Sequence, residues 1–166
     1  TTTRTPSPTH TPTATLTPTC VGEGGCAPSV SWPEGISINE ILAYPKTRYS
    51  GEWIELFNAA AGAVDLSGWK IDDGAGGGAP IALPQFTAIA AGVYLVVNLP
   101  GALLNNGGVS ARLLRPDGSV ADAVDIGASP PDASYNRGNG GWYFSDTPSP
   151  GAPNLPPSPP TSTPAK

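Results

Sequence analysis

The chain has 166 residues, 39% of them hydrophobic and only 13% charged, with 21 glycines, 21 prolines and a net charge of −5. Such a composition disfavours helix and suits short strands joined by turns, in one domain flanked by tails. The few Lys and Arg residues are scattered, Lys46 and Arg48 being the nearest pair, which excludes the basic patch a nucleic-acid partner needs, and the longest apolar run, 88–97, is broken by Gly92 and too short for a membrane span.

Residues 1–19 form a Thr/Pro-rich tail in which every odd position is Thr or Ser, while Pro6, Pro8, Pro12 and Pro18 are all even. One reading is a mucin-like stalk, stiffened by proline and O-glycosylated at Thr3, Thr5, Ser7, Thr9, Thr11, Thr13, Thr15, Thr17 and Thr19. Another comes from backbone geometry. Alternate residues of a strand direct their N–H and C=O groups to one edge, so prolines confined to even positions leave the odd edge able to pair. On that reading the tail adds as a strand to a neighbouring copy, with Leu16 and Val21 as the apolar contacts. No Asn-x-Ser/Thr acceptor occurs in the chain, so glycan attachment is expected on hydroxyls alone. A chain that has no Met and opens without a signal segment is expected to be a processed product or an excerpt.

Cys20 and Cys26 enclose Val-Gly-Glu-Gly-Gly. Two cysteines make a poor zinc site, since the sole histidine, His10, lies in the tail. A local disulfide, in an oxidising extracellular or cell-surface setting, is the expectation, with a pair of free thiols the alternative. Residues 20–31 are thus expected to be a stapled loop, after which Trp32 caps the core.

Two runs organise the remainder of the chain. In Glu52-Trp53-Ile54-Glu55-Leu56-Phe57-Asn58, Ile54 and Leu56 fall on one face, while Trp53, Glu55 and Phe57 fall on the other; Ile36 and Ile38 likewise alternate with Ser37 and Asn39. Further strands are expected at 68–72 with Trp69 and Ile71 on one face, at 81–86, and at 93–97. The segments 109–114 and 120–126 flank the turn Pro116-Asp117-Gly118, and 133–137 and 142–144 complete the set. Eight or nine short strands predict a sandwich.

The runs around Ile38 and Trp53, together with Val64-Asp65-Leu66-Ser67-Gly68-Trp69, Leu104-Asn105-Asn106-Gly107-Gly108, Pro116-Asp117-Gly118 and the closing Thr147-Pro148-Ser149-Pro150-Gly151-Ala152-Pro153-Asn154, resemble the lamin tail domain family in its bacterial secreted form. The resemblance spans residues 32–154. It implies an all-β, immunoglobulin-like β-sandwich with no shared catalytic residues, here flanked by extended Thr/Pro-rich tails at 1–19 and 155–166. Fold alone does not fix function.

Catalysis would have to come from Glu40, Glu52 and Glu55, and no acid, base and stabiliser can be assembled around them; the plainer reading has these carboxylates bonded to backbone or turned to solvent. The pairs Asp72 with Asp73 and Asp122 with Asp125 could offer oxygens to calcium, against the plainer reading of turn-forming aspartates. Trp53, Trp69, Trp142 and Tyr143 could form a sugar-stacking platform or belong to the core. No cofactor or resident metal is expected. The expected function is a non-catalytic extracellular structural module that assembles with copies of itself or forms a spaced bead in a surface protein. The alternative is a carbohydrate- or ligand-binding accessory domain of a secreted enzyme.

Overall fold

The computed structural model describes residues 15–20, 26–74 and 77–156, the backbone alone up to residue 30. Among them every regular element is a strand: β1 (Thr15–Cys20), β2 (Cys26–Ser31), β3 (Ile36–Leu42), β4 (Trp53–Asn58), β5 (Val64–Asp65), β6 (Lys70–Asp72), β7 (Ile81–Ala82), β8 (Ala88–Ile89), β9 (Tyr94–Asn98), β10 (Val109–Leu114), β11 (Val120–Ile126), β12 (Ser134–Gly138) and β13 (Gly141–Ser145). The larger sheet has the order β13-β12-β3-β4-β9 and the smaller β11-β10-β6-β7; β5 and β8 form a short pair. All pairings are antiparallel. The fold is an immunoglobulin-like β-sandwich.

The core shows why the alternating runs pair as they do. Ile38, Ile54, Leu56, Leu66, Trp69, Ile71 and Leu113 are all 0–1% exposed, and each such side chain stabilises the sandwich by about 1.5–3 kcal/mol. In β3 the alternation is broken once. Ile38 faces Leu56, but the next pair is Glu40 with Glu55, so Asn39 is an inserted residue, a β-bulge. The bulge switches the parity of the strand. Ile36 and Ile38 point inward from even positions, Ile41 and Ala43 from odd ones, and all four are buried. Without it, one half of β3 would carry its isoleucines to the outer face.

Several expected strands are shorter than the sequence suggested. The run 81–86 yields only Ile81–Ala82; Leu83 turns into the core, and Phe86, at φ 65°, leaves the extended region. Trp32 is half-buried and donates its indole N–H to Asp117 at 2.6 Å, tying the start of the sandwich to the Pro-Asp-Gly turn.

The segment before the sandwich differs from the stapled loop expected there. Residues 15–20 and 26–31 form a hairpin, with Thr15 opposite Ser31, Leu16 opposite Val30, Pro18 opposite Pro28 and Cys20 opposite Cys26. Two opposed prolines cannot exchange N–H bonds, so the even pairs are the non-hydrogen-bonded ones and Thr15, Thr17 and Thr19 hold the ladder. The odd edge of the tail is thus the pairing edge, as its proline spacing requires, but its partner is this chain's own residues 26–31. Residues 1–14, with Thr3, Thr5, Ser7, Thr9, Thr11 and Thr13, lie outside the described residues, as do Val21 and 157–166.

Candidate binding cleft

The outer face of the larger sheet carries two layers of polar organisation and one open cleft. Glu40 and Glu55 are opposed on β3 and β4, and both are fully buried. The segment 147–156 crosses over them as a strap. Glu40 accepts from the Ser134 hydroxyl at 2.5 Å and from the Ser149 amide at 3.0 Å, and its other oxygen accepts from the Ser149 hydroxyl at 3.3 Å. Glu55 accepts from Asn39 Nδ2 at 2.8 Å through one oxygen and from the Gly151 amide through the other. Burial pushes both carboxyls above the usual range, and the neighbouring Glu40 charge adds to the push on Glu55. Each carboxylate oxygen is thus taken up by a donor on the strap or beside it, the plainer of the two readings. Glu52 does the same elsewhere, one of its oxygens accepting the amides of Leu103 and Leu104 at 2.8 Å each.

The bulge residue completes the attachment. Asn39 donates to Asn154 Oδ1 at 3.0 Å, and Asn154 donates to the Asn39 and Arg137 carbonyls at 2.9 and 3.0 Å. From the smaller sheet, Asp122 accepts the Ile38 amide at 2.8 Å and an Arg137 N–H at 2.5 Å, while Arg137 Nε donates to the Ile38 carbonyl at 2.7 Å. The bulge is clamped from both sheets.

Beside the strap lies a cleft of about 780 Å³, within the range of ligand sites. One wall is the stacked pair Phe57 and Tyr94, on paired β4 and β9, with ring centroids 4.7 Å apart. Across the sheet stands Tyr143 of β13, with Trp142 and Arg137 at the rim and Asn39, Asn154 and Pro156 between. The β12–β13 hairpin turns through Asn139-Gly140, with Gly138 opposite Gly141, a signature for a two-residue turn. A Cβ on Gly138 would sit 2.8 Å from the Tyr143 ring, so glycine is what lets that ring lie against the turn.

The residues singled out from sequence scatter with respect to this cleft. Trp142 and Tyr143 line it; Trp69, 1% exposed, belongs to the core, and Trp53, 5% exposed, is buried on the same face of β4 as Glu55, away from the cleft. Trp142 is itself stacked on Tyr135 and lies 4.8 Å from the Arg137 guanidinium, so the four residues do not make one platform. Asp72 accepts two N–H groups of Arg112, and Asp122 serves the bulge, so both use oxygens that calcium would have needed. Among the described residues no three His, Cys, Asp or Glu side chains are grouped to hold a metal. Cys20 and Cys26 are opposed in register. Phe57, Tyr94, Asn39 and Asn154 were not singled out as ligand contacts, although Asn139-Gly140 was a legible turn pointing to the hairpin that frames them.

The sequence model of one family, the Lamin Tail Domain, matches residues 30–128. The chain belongs to the lamin tail domain family. The matched stretch of this lamin tail domain holds β3 to β11, while β12, β13 and the strap, which supply most of the cleft lining, lie beyond it. Searches of curated proteins and of solved structures returned no match. The family is one of immunoglobulin-like structural and binding domains, generally without catalysis.

Proposed function

We propose that this lamin tail domain is a non-catalytic extracellular recognition module that holds an extended ligand in the cleft beside the strap and so joins its bearer to other copies or to a surface polymer. The observation that carries the reading is the pairing of flat aromatic faces, Phe57 with Tyr94 on one side and Tyr143 on the other, around the amide side chains of Asn39 and Asn154. Aromatic faces with a few placed polar groups suit extended ligands. The buried carboxylates are engaged with the strap, which fits binding better than acid–base chemistry.

The extracellular setting is supported by the hairpin. Cys20 and Cys26 occupy opposed, non-hydrogen-bonded positions, where Cα atoms stand about 4.5 Å apart, inside the span a disulfide bridges. O-linked sugar on the odd-position hydroxyls belongs to the same reading. Intact mass before and after reduction and alkylation tests the disulfide, and a native mass above the 16.8 kDa polypeptide tests the sugar. A second reading, carbohydrate binding, draws on Tyr143 and Trp142 sharing the cleft with Asn39 and Asn154. The test of the module itself is a titration of the ¹⁵N-labelled chain with a soluble β-glucan hexasaccharide and with a proline-rich peptide. Amide shifts at Tyr94 and 137–143 with either probe support the reading; shifts at none of these positions with either overturn it.

A further inference from the structure

We propose that the cleft recognises a proline-rich segment in polyproline II conformation, of the kind that flanks the module itself, supplied by a second copy of the chain. This rests on the cleft being the binding site.

The first argument is dimensional. Tyr143 on β13 and the Phe57–Tyr94 pair on β4 and β9 are separated by three to four strand spacings in the order β13-β12-β3-β4-β9. At about 4.8 Å per spacing the aromatic walls stand roughly 14–19 Å apart. A polyproline II segment advances about 3.1 Å per residue, so five or six residues span that distance. The run Pro156-Pro157-Ser158-Pro159-Pro160 has that length.

The second argument is a contact already made. Pro156 of the same chain lines the cleft, and Tyr143 donates its hydroxyl to the carbonyl of the preceding Leu155. A tyrosine hydroxyl on a backbone carbonyl next to a proline is the type of contact that aromatic grooves make with proline-rich chains. Such chains have few N–H groups and carbonyls free of internal bonds, so they need donors from the groove. Tyr94 and Asn139 line the cleft, and neither side chain bonds to another of the described residues.

The third argument is composition. The flanking segments 1–19 and 155–166 contain no acidic residue, and their cations are Arg4 and Lys166, whereas the chain as a whole carries −5. A sandwich of negative balance meets flanks that do not repel it, and proline stiffens them so that less entropy is lost on docking.

The test uses a labelled peptide of the sequence 155–164 and measures its fluorescence anisotropy against the full-length chain. Tyr94→Ala and Tyr143→Ala are each expected to weaken binding at least tenfold. Tyr94→Phe, which keeps the ring and removes a hydroxyl not bonded to another described residue, is expected to weaken it severalfold, and a peptide with every proline replaced by alanine should lose binding. Thermal melts of each variant establish that it folds; if either alanine variant melts early, Tyr94→Phe and peptide-induced amide shifts at 137–143 decide alone. Equal peptide affinity of the wild type and Tyr94→Phe, with no such shifts, overturns the proposal. Shifts at those amides with the β-glucan hexasaccharide but not with the peptide overturn it while leaving the cleft a binding site. Shifts with neither overturn both. Binding in trans is read by sedimentation: self-association that rises with concentration and is lost in Tyr94→Phe supports a second copy as the source, and a monomer at every concentration overturns that assignment.

Discussion

Glu52 and Glu55 lie three residues apart, are both buried, and each fastens a distant segment to the larger sheet, yet they divide their oxygens differently. Glu52 serves the amides of Leu103 and Leu104 through a single oxygen. Glu55 gives one oxygen to the Asn39 side chain and the other to the Gly151 amide, and shares its surroundings with Glu40. The loop at 103–104 is therefore held by one carboxylate oxygen, the strap by three, both of Glu40 and one of Glu55. Buried donors left without acceptors cost about 1–3 kcal/mol each, so the strap has more to lose. Asp132 supplies a contrast outside this pair: it accepts from the Thr47 hydroxyl and from the amides of Lys46, Thr47 and Arg48. With that many donors its carboxyl lies well below the usual range, led by the Thr47 hydroxyl bond, whereas burial outweighs the hydrogen bonds at Glu40, Glu52 and Glu55.

The largest break in the comparison is Glu40→Ala. It strips the Ser149 amide and hydroxyl and the Ser134 hydroxyl of their acceptor, and relief of a buried charge offsets part of the loss. The expected cost is about 2–4 kcal/mol by urea unfolding, with faster hydrogen exchange at Ser149 and Gly151. An unchanged midpoint would mean the strap is not held by this carboxylate. Next in size is Glu55→Gln. A glutamine has one acceptor oxygen where two donors converge, so this variant should lie about 1–3 kcal/mol below Glu52→Gln in stability.

Acid-base behaviour sharpens the same contrast. Glu40, Glu52 and Glu55 have folded-state pKa values above their ordinary 4.5. Between that value and the raised one the folded chain binds more protons than the unfolded chain, so these groups lower stability as pH rises through the window. Asp132, depressed below its ordinary 3.8, has the opposite sign: its contribution is present above that value and is lost as pH falls through the folded pKa. Urea midpoints of Glu52→Gln should therefore fall less than those of the wild type as pH is raised from about 4.5, and midpoints of Asp132→Ala should depend less on pH in the acid limb. Parallel curves for wild type and both variants would contradict the assignment.

Much of the sandwich was legible because its signals are local. Alternation located β3 and β4, and Pro116-Asp117-Gly118 located the β10–β11 hairpin. The bulge left a trace that alternation alone passes over, the change from even Ile36 and Ile38 to odd Ile41 and Ala43. The run at 81–86 misled because apolar residues there are placed by turns: Leu83 is buried while Phe86 stands 74% exposed. Where 15–20 pairs with 26–31 proline parity named the pairing edge, but the partner is not written in the strand that seeks it. The cleft was least legible, since Phe57, Tyr94 and Tyr143 come to line one cleft only through sheet order. The carboxylates' backbone bonding was readable as the plainer option; which amides they would serve was not.

The smallest expected effect is also the most discriminating. At Glu52→Gln the side-chain carbonyl can take the place of the one oxygen that serves Leu103 and Leu104, so both bonds survive in a neutral group. Burial, the leading cause of that carboxyl's raised pKa, no longer penalises a charge. The variant should unfold within about 1 kcal/mol of the wild type, on the stabilised side near neutral pH. Hydrogen exchange at Leu103 and Leu104 should stay slow. A loss as large as that of Glu55→Gln would show that the charge itself, and not the placement of one acceptor, fastens the loop, and the distinction between a shared and a divided carboxylate would fall.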